Sequence, residues 1–382
     1  MRERADVVII GGGVIGASIA FHLAQRGLTD VVIVERSALG AGSTGRSAGG
    51  VRQQFSTETN CRMSMLSVQK LRSFESDTGW DPGFQQVGYL FLLTTPQDWE
   101  LFQRNVALQR GLGLEVDLTA AQAAKAMVPP LMVDDVLGAA FCSTDGHADP
   151  TNVCLGYAAV ARELGVEVCS GVSVTGISLE AGAVTAVETS EGSIRTPCAV
   201  IAAGPWSGEV ARCAGIEVPI QPYRRQLYYI ERADSIRSTA PMVVDFASSM
   251  YFRPEGPGLL LGMTDRSEPS SFSTNTDDRF LAMLIDQAVR RVPVLEGVGF
   301  IRGWAGLYDV TPDANPILGP IPDVQGLIMA SGFSGHGFMH APATGQLIAE
   351  ILVDGNARSI DVSAFSSERF RGEGITPERN VI

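Results

Sequence analysis

An α/β architecture is predicted by three features of the chain. A continuous apolar run, Ala5–Ile10, leads into the turn Gly11-Gly12-Gly13-Val14-Ile15-Gly16. A helix-periodic segment carrying Ile15, Ile19 and Leu23 runs to about Arg26, Gly27 closes it, and Val31-Val32-Ile33-Val34 follows, ending on Glu35. Two later stretches, 82–141 and 219–306, have the different texture of aromatic strands mixed with single helices. Apolar runs buried on both faces belong to parallel sheets joined by crossover helices. The predicted fold is therefore a Rossmann-like nucleotide-binding domain with an inserted α+β domain on a mainly antiparallel sheet. The first is assigned residues 1–81, 142–218 and 307–382, the second 82–141 and 219–306.

Further elements fill this frame. Thr151–Leu164 has the pattern of a helix, and Val166–Cys169, Val172–Leu179 and Val184–Thr189 read as strands joined by tight turns. Ala199–Ala202 is another buried strand, stopped by Gly204-Pro205. In the inserted part, strands are expected at Tyr89–Leu93, Gln226–Ile230, Met250–Phe252 and Leu259–Gly262, with helices near 97–110 and 277–291. The strand–glycine–helix theme returns at Leu327–Ala330, Ser331–Gly337 and a helix to about Leu352.

Composition narrows the function. With 45% hydrophobic and 19% charged residues, the 382-residue chain can form a sizeable core. A formal net charge of -13 argues against nucleic acid as a partner. No segment approaches the ~18 consecutive apolar residues of a membrane span, and no secretory leader is visible. The six cysteines, Cys61, Cys142, Cys154, Cys169, Cys198 and Cys213, form no CxxC pair and read as reduced packing residues of a cytoplasmic protein. Four histidines, none in a ligand-like spacing, make a protein-built metal site an unexpected feature.

The motifs point to a dinucleotide. In Gly11-x-Gly13-x-x-Gly16 the first glycine permits the turn, the second lets the backbone approach a pyrophosphate, and the third lets helix pack on strand. The helix N-terminus offers free N–H groups and partial positive charge to phosphates. Glu35, 19 residues past Gly16, is placed to accept the adenosine ribose hydroxyls. This unit alone does not separate FAD from NAD. The loop Gly40–Gly50, with Ser43, Thr44, Arg46, Ala48 and Gly49, suits contact with a pyrophosphate and a flat ring. Gly332-Phe333-Ser334-Gly335-His336-Gly337-Phe338-Met339 opens a helix whose positive end suits the pyrimidine edge of a flavin.

With these segments in order, the chain resembles the glycine oxidase, sarcosine oxidase and D-amino-acid oxidase superfamily of FAD-dependent amine oxidoreductases. It is most similar to the β-type subunits of multimeric sarcosine oxidase and proline dehydrogenase. Asp145-Gly-His-Ala-Asp-Pro150, Ala203-Gly204-Pro205-Trp206 and Thr311-Pro312-Asp313 with Pro316 and Gly319 also carry the resemblance. It implies a glutathione-reductase-type FAD domain, with Val14, Ile15, Glu35 and Arg36 at the adenosine half and Val174 at the adenine. Ser43, Thr44 and Ala48 to Gly50 are implied at the pyrophosphate and ring, Gly204 and Trp206 among the cofactor contacts, and Gly335 to Met339 at the pyrimidine edge. Arg52 matches a carboxylate-binding arginine, and Tyr251 a tyrosine lining the substrate pocket.

Departures from the family's pattern carry expectations too. Gly306 stands where monomeric sarcosine oxidase has its flavin-linked cysteine, so FAD is expected to be non-covalent. Met339 and Tyr308 replace basic carboxylate partners of the relatives, which leaves Arg52, helped by Tyr251 and Tyr308, as the carboxylate site. Leu260 replaces a lysine tied to oxygen activation, so O2 is expected to be a slow acceptor beside a dye, quinone or protein. His336 is weighed as a base and, in preference, as a residue shaping the flavin loop; His147 is read as structural. The expected activity is oxidation of a small amino acid, a secondary amine such as sarcosine or proline, to an imine. Two alternatives stand beside it: an FAD-holding subunit of a hetero-oligomer that needs partner chains, and a NAD-dependent dehydrogenase.

Overall fold

The computed structural model describes residues 2–372 and 375–382. Strand β1 (Val7–Ile10), helix α1 (Val14–Gln25) and strand β2 (Val31–Glu35) form the expected βαβ unit, with Val7 opposite Val31 in a parallel pair. Its glycines are sterically required. A Cβ on Gly16 would fall 2.0 Å from the Gly11 carbonyl oxygen, and one on Gly11, whose φ is +116, would fall 2.4 Å from that of Ala202.

A short strand β3 (Gly50–Val51) is followed by helix α2 (Glu58–Thr78), which ends at Gly79 with φ of 74. This helix has no counterpart in the sequence reading. Its buried face carries Asn60, Cys61, Ser64 and Ser67 beside Val68, Leu71 and Phe74, which blurs the apolar stripe. Strand β4 (Tyr89–Leu93) precedes helix α3 (Pro96–Gly111), where Thr95 caps the Asp98 N–H. Then come β5 (Val116–Thr119), α4 (Ala121–Met127), β6 (Gly138–Cys142) and β7 (Gly146–His147). Helix α5 (Pro150–Glu163) begins on Asp149, whose carboxylate accepts from the Thr151 and Asn152 N–H groups.

Strands β8 (Glu167–Ser170), β9 (Val174–Glu180), β10 (Ala183–Thr189), β11 (Gly192–Arg195) and β12 (Ala199–Ile201) lead to helix α6 (Ser207–Arg212). The next run is β13 (Gln221–Glu231), β14 (Met242–Asp245), β15 (Met250–Glu255), β16 (Gly258–Met263), α7 (Asp278–Arg291) and β17 (Phe300–Val310). Strands β18 (Ile317–Pro320) and β19 (Leu327–Ser331) and helix α8 (Gly337–Asp354) complete the regular structure.

The central sheet has the order β18-β19-β12-β1-β2-β8, parallel except for the edge pair β18–β19. The strands expected near 166–169, 172–179 and 184–189 are joined by short turns, and they divide between two sheets: β8 pairs in parallel with β2, while β9, β10 and β11 make a separate three-stranded antiparallel sheet. The large sheet runs β17-β13-β16-β15-β14-β4-β6-β5, antiparallel except for β14 with β4. Its two faces separate with the period of two that strands impose. Leu90, Leu92, Val243, Phe252, Leu259 and Leu261 pack with Phe280 and Leu284 of α7. Tyr89, Phe91, Leu227 and Tyr251 instead join the core beneath α1 and α8. Strand β13 is longer than the sequence suggested, and it pairs along its length with β17, which had no counterpart in the sequence reading, with Tyr223 opposite Tyr308 and Arg225 opposite Gly306.

Candidate functional site

A cavity of about 620 Å³ runs from the carboxyl ends of β1 and β2 to the inner face of the large sheet. Ligand crevices at the carboxyl ends of parallel strands are the rule in doubly wound sheets. Gly11, Gly13, Val14 and Ile15 line it where α1 begins. No acidic residue stands in the first turn of α1, so its partial positive charge is unopposed there. Thr44 Oγ1 accepts from the Val14 N–H at 3.0 Å, which ties the loop to the helix start. The Glu35 carboxylate is held by the Gly12 N–H at 2.7 Å and the Ser37 N–H at 2.8 Å, each to a different oxygen. Its remaining lone pairs face the cavity that ribose hydroxyls would enter.

Arg36, Val174, Gly204 and Trp206 line the same end, with the Arg36 guanidinium 3.9 Å above the Trp206 ring. Further along, Ser43, Thr44, Arg46, Ala48 and Gly50 form one wall. Ser43 Oγ donates to the Leu307 carbonyl at 2.6 Å, and Arg46 Nη1 donates to that of Ala305 at 3.1 Å. The opposite wall is Gly335, His336, Gly337, Phe338 and Met339 at the start of α8, again with no acid in the first turn. Two long helices thus aim their positive ends into one elongated cavity, and a carboxylate lies at one extremity. This fits an adenine dinucleotide carrying a flavin.

Three glycines assigned to cofactor contact do not line the cavity. Gly16 is required by helix–strand packing, as above. A Cβ on Gly49 (φ +71) would meet the Ala148 carbonyl oxygen at 2.3 Å, and one on Gly332 (φ +84) would meet Thr311 Cγ2 at 2.6 Å. Their roles are backbone shape and packing. The motifs around Asp145 and Asp313 are structural as well. Asp145 accepts from the Gln53 N–H and from both glutamine side chains of Gln53 and Gln54, and burial raises its carboxyl to about 6. His147 pairs with Gly50 across β3 and β7, and Asp313 pairs with Arg369 at 2.8 Å.

The sheet end is built from side chains. Arg52, Tyr89, Arg225, Tyr251, Tyr308, Asp309 and His336 all line it. Neighbouring glycines admit the rings: a Cβ on Gly262 would lie 2.4 Å from Tyr251, and one on Gly335 would lie 2.4 Å from Tyr308. Burial raises both phenols, and neither oxygen has a hydrogen-bond partner among the described residues. His336 is 3% exposed, and both its ring nitrogens lack partners. Burial, with Arg52 and His340 nearby, holds it well below the usual imidazole range, so the ring is uncharged. Its ring meets Phe55 edge-on at 5.2 Å. Asp309 reaches about 6 through burial, while Oδ2 accepts the Gly332 N–H at 2.6 Å.

Arg52 departs from its expected role. It is 1% exposed, stacks 4.0 Å above Phe55, and donates through Nη1 to the Gln54 carbonyl and through Nη2 to that of Asn380. Both ends of its fork are taken by main chain, so it braces the segment before α2 against the C-terminal segment. That segment is itself locked. Glu378 accepts from Ser56, Thr57, Asn60 and Asn380, and Asn380 accepts from Asn105 Nδ2 at 2.8 Å.

Leu260 does not line the cavity; it lies in β16 opposite Tyr229 and Arg253. Arg46, Arg52 and Arg225 do line it, so the absence of a lysine at that position leaves the cavity cationic. The electrostatic argument for slow reaction with oxygen loses its ground. Sequence reasoning missed Arg225, Tyr89, Asp309 and the C-terminal segment. A strand drawn from Gln221 would have put Tyr223, Arg225 and Leu227 on one face.

Fold and cavity together define a dinucleotide-binding oxidoreductase with a second, aromatic and cationic compartment. Residues 6–351 match the family described as DAO, FAD dependent oxidoreductase, and the chain belongs to that family. It is 34% identical over 428 residues to FAD-dependent oxidoreductase domain-containing protein 1 of Xenopus laevis, a match spanning 100% of this chain and 85% of that protein. It is 32% identical over 389 residues to mitochondrial sarcosine dehydrogenase of Mus musculus, across 97% of this chain but 42% of that longer protein. The crystal structure of L-proline dehydrogenase from P. horikoshii superposes with a TM-score of 0.91 at 33% identity, over 97% of this chain and 99% of that one. The fold and family expected from the motifs stand. The cofactor is FAD, and the NAD alternative is set aside.

Proposed function

We propose that this FAD-dependent oxidoreductase oxidises a small amino acid at the carbon bearing its nitrogen, with a secondary amine as the preferred donor. One observation carries the reading: arginines, Tyr251, Tyr308 and an uncharged His336 line one aromatic compartment next to the flavin-binding helix start. The similarity to proteins named sarcosine dehydrogenase and L-proline dehydrogenase supports a secondary amine.

Bound FAD supplies the acceptor for the two electrons and the hydrogen leaving the substrate carbon. The chain contributes binding and orientation. Glu35 holds the ribose, α1 the pyrophosphate, and α8 the pyrimidine edge. Phenol and ring faces of Tyr251 and Tyr308 confine the substrate against the cofactor. Neutral His336, with its ring nitrogens buried, shapes the start of α8 and offers no charge to repel the amine. The imine product hydrolyses in water. FAD is held without a covalent link at Gly306, and the electron acceptor is O2, a quinone or a protein. A hetero-oligomer in which this chain is the FAD-bearing subunit is the second reading, supported by its likeness to β-type subunits.

Steady-state turnover with an artificial acceptor tests the proposal. Paired primary, secondary and tertiary amines of one small amino acid are compared by kcat/KM. A secondary amine leading by about tenfold or more is expected. Equal values for all three would remove the secondary-amine preference. No turnover by the chain alone, with turnover on adding a partner subunit, would favour the second reading.

A further inference from the structure

We infer that Arg225 is the residue that binds the substrate's carboxylate, an assignment that rests on the amino-acid reading above. A carboxylate drawn into an apolar compartment needs a cation or several donors, since burying it unpaired costs several kcal/mol. Four arginines line the cavity: Arg36, Arg46, Arg52 and Arg225. Arg36 is stacked on Trp206 beside Val174, at the dinucleotide end. Arg46 Nη1 is bound to the Ala305 carbonyl. Arg52 has a main-chain carbonyl on each terminal nitrogen.

Arg225 differs from Arg36 and Arg52 in its contacts, and from Arg46 in lying beside the Tyr308 ring at the sheet end. Its Nη1 is engaged with the Arg224 carbonyl at 2.8 Å, while Nη2 has no protein partner among the described residues. Its Nε is buried and has no partner. No carboxylate lies within ion-pair distance of it among the described residues. The nearby acids Glu268 and Asp277 are taken by Arg224, at 2.9 and 3.8 Å. Directly across the strand pair stands Gly306, which brings no side chain of its own, and Arg46 Cβ packs 3.1 Å from where one would begin. The Tyr308 ring lies 5.1 Å away, and the Tyr251 and Tyr308 phenols both feel the Arg225 charge while lacking hydrogen-bond partners.

A guanidinium with Nη2 free, flanked by two phenols without partners, is a carboxylate receptor. Nη2 and the second Nη1 proton donate two N–H bonds to the carboxylate, and the phenols reach its remaining lone pairs. This assigns substrate specificity to β13 and β17, while Arg52 acts as the brace behind them.

Titration of the oxidised holoprotein with pyrrole-2-carboxylate, read by perturbation of the flavin spectrum, tests the assignment without turnover. In Arg225→Met the dissociation constant is expected to rise about 10²-fold, with FAD content unchanged. In Arg225→Lys, which keeps the charge on the strand, a rise of about tenfold is expected because the fork is lost. Arg225→Met should also raise KM for an amino acid far more than for the same amine lacking its carboxylate. Unchanged carboxylate affinity in either FAD-loaded variant would overturn the assignment, as would equal losses for both amines. The outcome is separable from the proposed function: carboxylate binding through Arg225 with no amine oxidised would sink that function alone, and amine oxidation with Arg225 indifferent would sink this assignment alone.

Discussion

At the Gly11–Gly16 end of the cavity a ligand meets main-chain N–H groups, small side chains and one fixed carboxylate. At the sheet end it meets ring faces, phenols and guanidinium groups brought together from β4, β13, β15, β17 and the start of α8. The first kind of site depends on local backbone shape, which glycine positions dictate within a few residues. The second depends on strand register between segments far apart in the chain, as where Arg225 meets Gly306. A main-chain site tolerates almost no substitution. A side-chain site can be retuned one residue at a time with the fold intact.

The largest effect that would break this contrast lies at Gly16. Gly16→Ala places a methyl 2.0 Å from the Gly11 carbonyl oxygen, against backbone that has nowhere to move. Purified protein is expected to carry essentially no FAD, or not to fold; normal flavin content by absorbance would show that the turn is not under this constraint.

Glu35→Ala sharpens the same end by removing an acceptor and leaving the turn. The protein should fold, and its FAD dissociation constant should rise about 10²-fold, as for losing a charged acceptor worth ~3 kcal/mol. An unchanged constant would place the ribose elsewhere.

Acidity probes both ends at once. Burial lowers His22, His147 and His340 to about 3 and His336 well below its usual range. The unfolded chain therefore takes up protons below about pH 6.5 that the folded chain refuses, so stability falls as pH drops from there. Asp145 and Asp309, raised from 3.8 to about 6, oppose this, because the folded chain holds those two protons between about pH 6 and 4. Four sites against two leaves a net loss of about 2 kcal/mol per pH unit on acidification. Denaturant unfolding between pH 7 and 5 measures it, and stability that is flat or rises toward acid would contradict the buried neutral histidines.

The smallest effect is expected at Arg36. Arg36→Met removes a contact with the Trp206 ring near solvent, and FAD affinity should weaken only a few-fold. A loss as large as that of Glu35→Ala would mean that Arg36 holds the cofactor directly.

How far the sequence could be read follows the same division. The βαβ unit, α3, α5, α7 and α8 were all visible because periodicity, caps and glycines are local signals. Helix α2 was not, because Asn60, Ser64 and Ser67 replace aliphatic residues on its inner face. They are buried there through partners remote in sequence, such as Glu378 for Asn60 and His340 for Ser64. The strand holding Arg225 was started at Gln226, since the pairing of Tyr223 with Tyr308 extends it beyond its apolar run. Arg52 was found but misread, because the carbonyl of Asn380 that occupies it comes from a segment with no pattern of its own.

The most direct test is an anaerobic titration of the purified holoprotein with a small secondary amino acid, with the visible flavin absorption monitored. Stoichiometric bleaching, about one equivalent per FAD and reversed by an artificial acceptor, is the predicted result. Flavin that stays oxidised with every amino acid tried, secondary amines included, yet is bleached by a non-amine donor, would contradict the account.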